Sequence, residues 1–270
     1  FRTFIEGRFG FGGGALTSSN MGRVVASLFL AFVLAISPLP VDAVAGIAFA
    51  DGDAGAPATA AYVAEEFDVI QDDVTYTCET AVDGTAEIAC IAAKSGVTKV
   101  SVPASIEHEG QAYKVTSLRF SGGTTAEDVE QLLLPDTLEK ISGWNFSKFV
   151  KVKELRIPGS IENFSCTLQN ARALEKLIFD EGVEEISANS MVNGCASLSE
   201  INLPSTLKLI SGTGAFSGAK SLKSITLPEG VIIDDTVGSL LSDCTSLTSV
   251  SLPASVTKIS SNMFGGCTSL

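Results

Sequence analysis

The side chains of this 270-residue protein that could do chemistry are few and poorly placed for it. His108 is the single histidine, standing in Glu107-His108-Glu109-Gly110. A metal site or a general base there would need further ligands or an orienting partner, and neither a second histidine nor a nearby cysteine supplies one. The insert Glu107 to Lys114 therefore reads as a solvent-facing turn. Asp72-Asp73 and Asp234-Asp235 are adjacent pairs with nothing to aim them at one substrate. Asp51-Gly52-Asp53 begins like a calcium loop, but Gly55 and Ala56 stand where that loop needs a ligand and a glycine. Gly10-Phe11-Gly12-Gly13-Gly14 follows no strand pattern and is not a phosphate-binding loop. No Ser/His/Asp or Cys/His arrangement emerges. The chain reads as non-enzymatic, with no cofactor and no metal.

The cysteines lead to the elements that position them. Cys195, Cys244 and Cys267 share a column with Phe149, Ala171 and Ala219, so the position demands burial and modest size rather than a thiol. That column belongs to a repeat. Its heads are Val129, Val152, Leu174, Leu198, Leu222, Leu247 and Leu270, at intervals of 23, 22, 24, 24, 25 and 23 residues. Five residues after each head come Leu134, Ile157, Phe179, Leu203, Leu227 and Leu252, and then Pro135, Pro158, Asp180, Pro204, Pro228 and Pro253. Neither a strand alternation nor a helical stripe gives this spacing, whereas one turn of a solenoid does. Successive units must stack, because none can bury its own apolar face. Stacked Cys244 and Cys267 would lie about 5 Å apart with parallel side-chain vectors, which favours free buried thiols over a bond. Cys166 falls off the column.

Composition agrees. An apolar fraction of 45% is ample for a core, and the formal net charge of −13, without a Lys/Arg-rich run, excludes nucleic acid as the partner. Residues 1–20 read as an upstream extension outside the mature protein. Residues 21–50 read as a signal peptide: Met21, Arg23, a 13-residue apolar run from Val24 to Ile36, and Ala48-Phe49-Ala50 before Asp51. The run is too short for a membrane span of roughly 20 residues, so no membrane insertion of the mature protein is expected. An Ala/Gly/Pro/Asp-rich stretch, 51–66, reads as a flexible linker. Residues 67–96 hold a β-hairpin cap turning at Asp83-Gly84, with Cys78 and Cys90 on opposite arms. A two-residue turn puts the two thiols on opposite faces. A three-residue loop from Asp83 to Thr85 opposes them and allows a disulfide. Residues 97–270 are the repeats, an irregular first unit and then six regular ones, broken off at the head of another.

At L-x-x-[IV]-x-L-P and at the C-x-S-L endings (CASL, CTSL and CTSL from Cys195, Cys244 and Cys267), residues 97–270 resemble the BspA-type, or treponemal-type, leucine-rich repeats of bacterial surface proteins. The resemblance implies a β-rich solenoid: a leucine-rich-repeat stack of short parallel strands behind an N-terminal hairpin cap. It also implies a secreted or cell-surface location and attachment to host matrix proteins or to other cells. The sequence departs from the pattern at Asp180, where proline is usual, and at Asp234, where isoleucine is expected, so unit five should bulge near Ile232 to Ser239.

What remains for function is a surface. Residues two and four after each head point away from the core, which singles out Glu154, Arg156, Lys176, Ile178, Glu200 and Asn202 as a candidate binding face for an extracellular protein or cell-surface ligand. The rungs that follow carry only serine and threonine: Ser224, Thr226, Ser249 and Ser251. The competing reading of that face is a solvated wall whose charges satisfy one another. The competing function is an accessory arm of a secreted enzyme whose catalytic domain lies beyond Leu270.

Overall fold

A computed structural model describes residues 66–270, apart from 121, 144–145 and 235–236. The expected extension, leader and nearly all of the linker lie outside the described residues, as does Asp235. The strands are β1 (Glu66–Gln71), β2 (Val74–Thr80), β3 (Thr85–Ala93), β4 (Lys99–Ser101), β5 (Ser105–His108), β6 (Gln111–Phe120), β7 (Gln131–Leu133), β8 (Lys140–Gly143), β9 (Glu154–Ile157), β10 (Asn163–Phe164), β11 (Lys176–Phe179), β12 (Glu185–Ile186), β13 (Glu200–Asn202), β14 (Leu209–Ile210), β15 (Ser224–Thr226), β16 (Ile232–Ile233) and β17 (Ser249–Ser251).

Each unit contributes a rung with two short strands and a closing turn, except the last, which carries β17 alone. The first wall is parallel, in the segments β4-β7, β9-β11-β13 and β15-β17. The second is β10-β12-β14-β16, with β6 and β8 paired in parallel ahead of it. A third side is closed by backbone bonds between successive turns, such as Leu168 N–H to Met191 O (2.7 Å) and Phe216 N–H to Leu240 O (3.0 Å). Heads Val129, Val152, Leu174, Leu198, Leu222 and Leu247 are fully buried. Each such side chain contributes roughly 1.5–3 kcal/mol, which is why the repeat retains them.

The C-x-S-L ending has a geometric cause. The head N–H donates to the carbonyl three residues back, as from Leu198 to Cys195 (3.1 Å) and from Leu247 to Cys244 (3.0 Å), closing a four-residue turn. The residue just before the cysteine column is left-handed in every rung after the first: Asn170, Gly194, Gly218, Asp243 and Gly266 have φ of 63°, 80°, 78°, 58° and 76°, whereas Lys148 before Phe149 ends a short 3-10 turn. Only glycine, asparagine and aspartate adopt that conformation readily. Hydroxyls then tie rung to rung, with Ser221 Oγ donating to Ala196 O (2.6 Å) and Thr206 Oγ1 to Val183 O (3.0 Å).

Unit five avoids its misplaced aspartate by register. Ile210 pairs with Ile233, not Asp234, so an apolar residue reaches the column one position early and the surplus residues follow it. At the other end the cap is larger than a hairpin. β1 pairs antiparallel with β2, β2 with β3, and β3 runs parallel to β6. The insert expected to be a solvent-facing turn is instead the hairpin β5–β6, reversing at Glu109-Gly110 (φ 51° and 80°). His108 stacks on Phe67 of β1, with ring centroids 3.7 Å apart and planes 16° apart. Since β1 and β5 end the strand order β1-β2-β3-β6-β5, that contact brings the two edges of the sheet together.

The Cys78–Cys90 disulfide does not form; both thiols are free. Ala81 N–H bonds Thr85 O (2.9 Å), so the loop is Val82 to Gly84 rather than Asp83 to Thr85. That register sets Cys78 against Ile88, and a bulge then sets Thr77 against Cys90. Cys78 turns into the core with Val74 and Tyr76, and Cys90 turns to the opposite face. There it lies under Thr124, whose Oγ1 is 3.9 Å from its sulfur.

Candidate binding face

The thiols come first, because they are the strongest nucleophiles that the repeat core could offer. Burial pushes Cys78, Cys166, Cys195 and Cys244 up to about 12, so none supplies a thiolate at neutral pH. In the column they act as hydrogen-bond donors: Cys195 Sγ to Leu168 O (3.1 Å), Cys244 Sγ to Phe216 O (3.3 Å) and Cys267 Sγ to Leu241 O (3.0 Å). The position thus uses a thiol to satisfy a carbonyl of the preceding rung, a role that its tolerance of alanine hides. Cys166 is buried too and donates to the carbonyl of Thr167. Among the described residues no group of three or more His, Cys, Asp or Glu could hold a metal ion.

The first wall brings the six candidate face residues together. β9, β11 and β13 are hydrogen-bonded in register, aligning Glu154, Lys176 and Glu200 in one row and Arg156, Ile178 and Asn202 in the next. Their neighbours Leu155, Leu177 and Ile201 point inward and are buried. Leu133 extends the second row toward the cap, 49% exposed.

The charges on this wall pair differently from their order in sequence. Arg156 binds Asp180 in a two-pronged contact, Nε to Oδ2 and Nη2 to Oδ1, each 2.7 Å. Asp180 is the residue that replaces the column proline. Its own N–H donates to Ile157 O (3.0 Å), a bond that proline cannot make. That bond completes the pairing of Phe179 with Ile157, so β9 and β11 run four residues where β7, β13, β15 and β17 run three. One substitution therefore lengthens the sheet and anchors the arginine. Lys176 Nζ lies 3.0 Å from Glu200 Oε1, and Lys176 with Asn202 holds the Glu200 carboxyl below the usual carboxylate range. Asp180 raises the Arg156 guanidinium further.

Just beyond the strand ends, Glu181 accepts from Ser205 N–H (2.9 Å), Ser205 Oγ (2.9 Å) and Thr206 N–H (3.2 Å), bonds that hold its carboxyl below its ordinary value. Sequence reasoning missed both Asp180 and Glu181. Asp180 is visible there only as a departure from the column, and Glu181 carries no signal at all.

The profile of one protein family, described as a BspA type leucine rich repeat region, matches six copies over residues 93–214 and 189–270. Among curated proteins there is no significant match. A leucine-rich repeat protein from Bacteroides ovatus is 27% identical with a TM-score of 0.52, over 76% of this protein and 46% of that one. The sequence thus spans less than half the length of that relative. A leucine rich cell surface protein from Faecalibacterium prausnitzii is 15% identical (TM-score 0.41, covering 76% and 93%). The pneumococcal vaccine antigen PcpA is 13% identical (TM-score 0.41, covering 76% and 86%). Among the described residues no helix is long and apolar enough to cross a membrane.

Proposed function

The chain belongs to the BspA-type leucine-rich repeat family, and on that premise we propose that it is a secreted or surface-displayed, non-catalytic binding module that attaches to extracellular matrix proteins or to other cells. The supporting observation is the wall β9-β11-β13. There Glu154, Lys176 and Glu200 stand beside Arg156, Ile178 and Asn202 on three hydrogen-bonded rungs, facing solvent over a fully packed core. Repeat proteins bind along such rigid extended faces, because ordering the site adds no entropy cost at the moment of contact.

The test is the double change Arg156→Ser with Lys176→Ser, which makes these rungs resemble the plain rungs after them. It leaves Asp180 and Glu200 without their ion-pair partners, exposed contacts that solvent screens, so the fold should persist. Binding of the purified protein to immobilised matrix proteins is expected to weaken, most visibly at low salt. Ser249→Ala with Ser251→Ala, on the same wall, is the matched control. Unchanged binding by the double variant across salt concentrations, with circular dichroism unchanged, would remove these rungs from the site.

A further inference from the structure

The first wall is not hydrogen-bonded throughout. Between β11 and β13, Glu200 N–H reaches Glu175 O (3.2 Å), and between β15 and β17, Ser249 N–H reaches Lys223 O (3.4 Å). The equivalent bond from Ser224 N–H to Ser199 O is missing, and among the described residues no backbone bond joins β13 to β15, as none joins β7 to β9. The same two rungs stay tied elsewhere: Ile232 N–H donates to Lys208 O (2.9 Å) on the second wall, and Phe216 N–H to Leu240 O (3.0 Å) on the third side. They are therefore held on two sides and parted on one. A groove of 630 Å³ opens at the parting, running along the strands.

Its lining is rich in acceptors. Glu181, Glu200 and Glu229 contribute carboxylates, Asn202 and Thr226 contribute side-chain oxygens, and no lysine or arginine lines it; of the three carboxylates, Glu200 already pairs with Lys176 and Glu181 is held by Ser205 and Thr206. The edges of β13 and β15 that form no backbone bond with each other border the same space, and main-chain donors and acceptors without a partner favour a ligand that satisfies them. A bare metal ion does not fit, because the carboxylates do not converge into a ligand cluster. An anionic partner would be repelled. A flexible cation with several N–H donors, carried on an extended peptide, matches both the shape and the charge.

Resting on the binding-module reading, we infer that the β13/β15 parting is a recognition slot for a lysine- or arginine-bearing extended segment of a partner protein. The basic side chain enters the parting, while the segment's backbone lies along β13 and β15. The Ser/Thr rungs β15 and β17, featureless in sequence, become the flat floor beside the slot.

The probe is a labelled synthetic peptide of alternating lysine and serine, with a twin in which every lysine is acetylated, titrated by fluorescence anisotropy. Glu229→Lys reverses one lining charge, and Thr226→Arg places a guanidinium of the protein itself in the groove. Glu107→Lys, on β5, changes the net charge equally but lies away from the slot. The expected result is a loss of about tenfold or more for the two groove variants and about twofold at most for Glu107→Lys, with no measurable binding of the acetylated twin. Circular dichroism confirms that Thr226→Arg is folded. Equal losses for Glu107→Lys and Glu229→Lys, or equal binding of the acetylated twin, would reduce the effect to diffuse attraction by an acidic protein and overturn the assignment. Matrix-protein binding measured in parallel separates the two readings. If wild type binds matrix proteins and both groove variants bind them equally well, the slot falls and the module reading stands. If wild type binds none of them while the peptide shows the expected variant pattern, the module's assigned partners fall and the slot stands.

Discussion

Replacing Asp180 by proline would restore the residue that Pro135, Pro158, Pro204, Pro228 and Pro253 occupy in the other regular units, and consensus reasoning expects such a change to stabilise. The structure opposes it. The carbonyl at this column serves the same turn in every unit, as in Ile161 N–H to Pro158 O (3.1 Å) and Val183 N–H to Asp180 O (3.3 Å), and proline would preserve that bond. The bond from Asp180 N–H to Ile157 O (3.0 Å) would be lost, at about 1–1.5 kcal/mol. Loss of the Arg156 contact, whose arginine side chain is 65% exposed, adds little because solvent screens it. Proline's restriction of the unfolded state returns about 0.4–1 kcal/mol. The balance is a loss of up to about 1 kcal/mol, which lowers Tm by up to about 2–4 °C in a domain of this size. Asp180→Asn is the control, since it removes the charge but keeps the N–H, and it should be close to neutral. Thermal unfolding followed by circular dichroism compares the three proteins. If Asp180→Pro melts at or above Asp180→Asn, the N–H to Ile157 is not what distinguishes this rung, and the account of the lengthened strands fails with it.

Three further outcomes are expected. Gly159→Ala should destabilise by about 2–3 kcal/mol or more, because a Cβ there would lie 1.8 Å from the main-chain oxygen of Glu181 and no side-chain rotation can relieve it; a thermal melt within about 1 °C of wild type would contradict the close approach. Glu181→Gln should lower Tm at about pH 7 by more than at about pH 3. The carboxyl is depressed from its ordinary 4.5, so its contribution is present above that value and disappears as pH falls through the lower folded value; a Tm difference that does not shrink in acid would refute the clasp. Alkylation of the native protein should be confined to Cys267, the one cysteine that is not fully buried, and should reach all six only after unfolding, with no Cys78–Cys90 crosslink in non-reducing peptide maps.

The repeat was legible because burial is a one-dimensional constraint in a solenoid. The same apolar column must recur in every rung, so Leu198, Leu222 and Leu247 announce the core without reference to anything distant. The outward rows followed from strand alternation alone, and Glu154, Lys176 and Glu200 do stand in line. The tertiary structure decided everything that depends on a register between segments. Cys78 and Cys90 part because a bulge shifts one strand by a residue, and no local pattern marks a bulge. Arg156 takes Asp180 rather than Glu154, because its reach across rungs is set by strand length, and strand length by a single N–H. The insert around His108 becomes a hairpin once Phe67 offers it a surface. The β13/β15 parting has no residue that encodes it. It arises where two sides of the solenoid hold their bonds and the third cannot, a balance that exists only in the assembled stack.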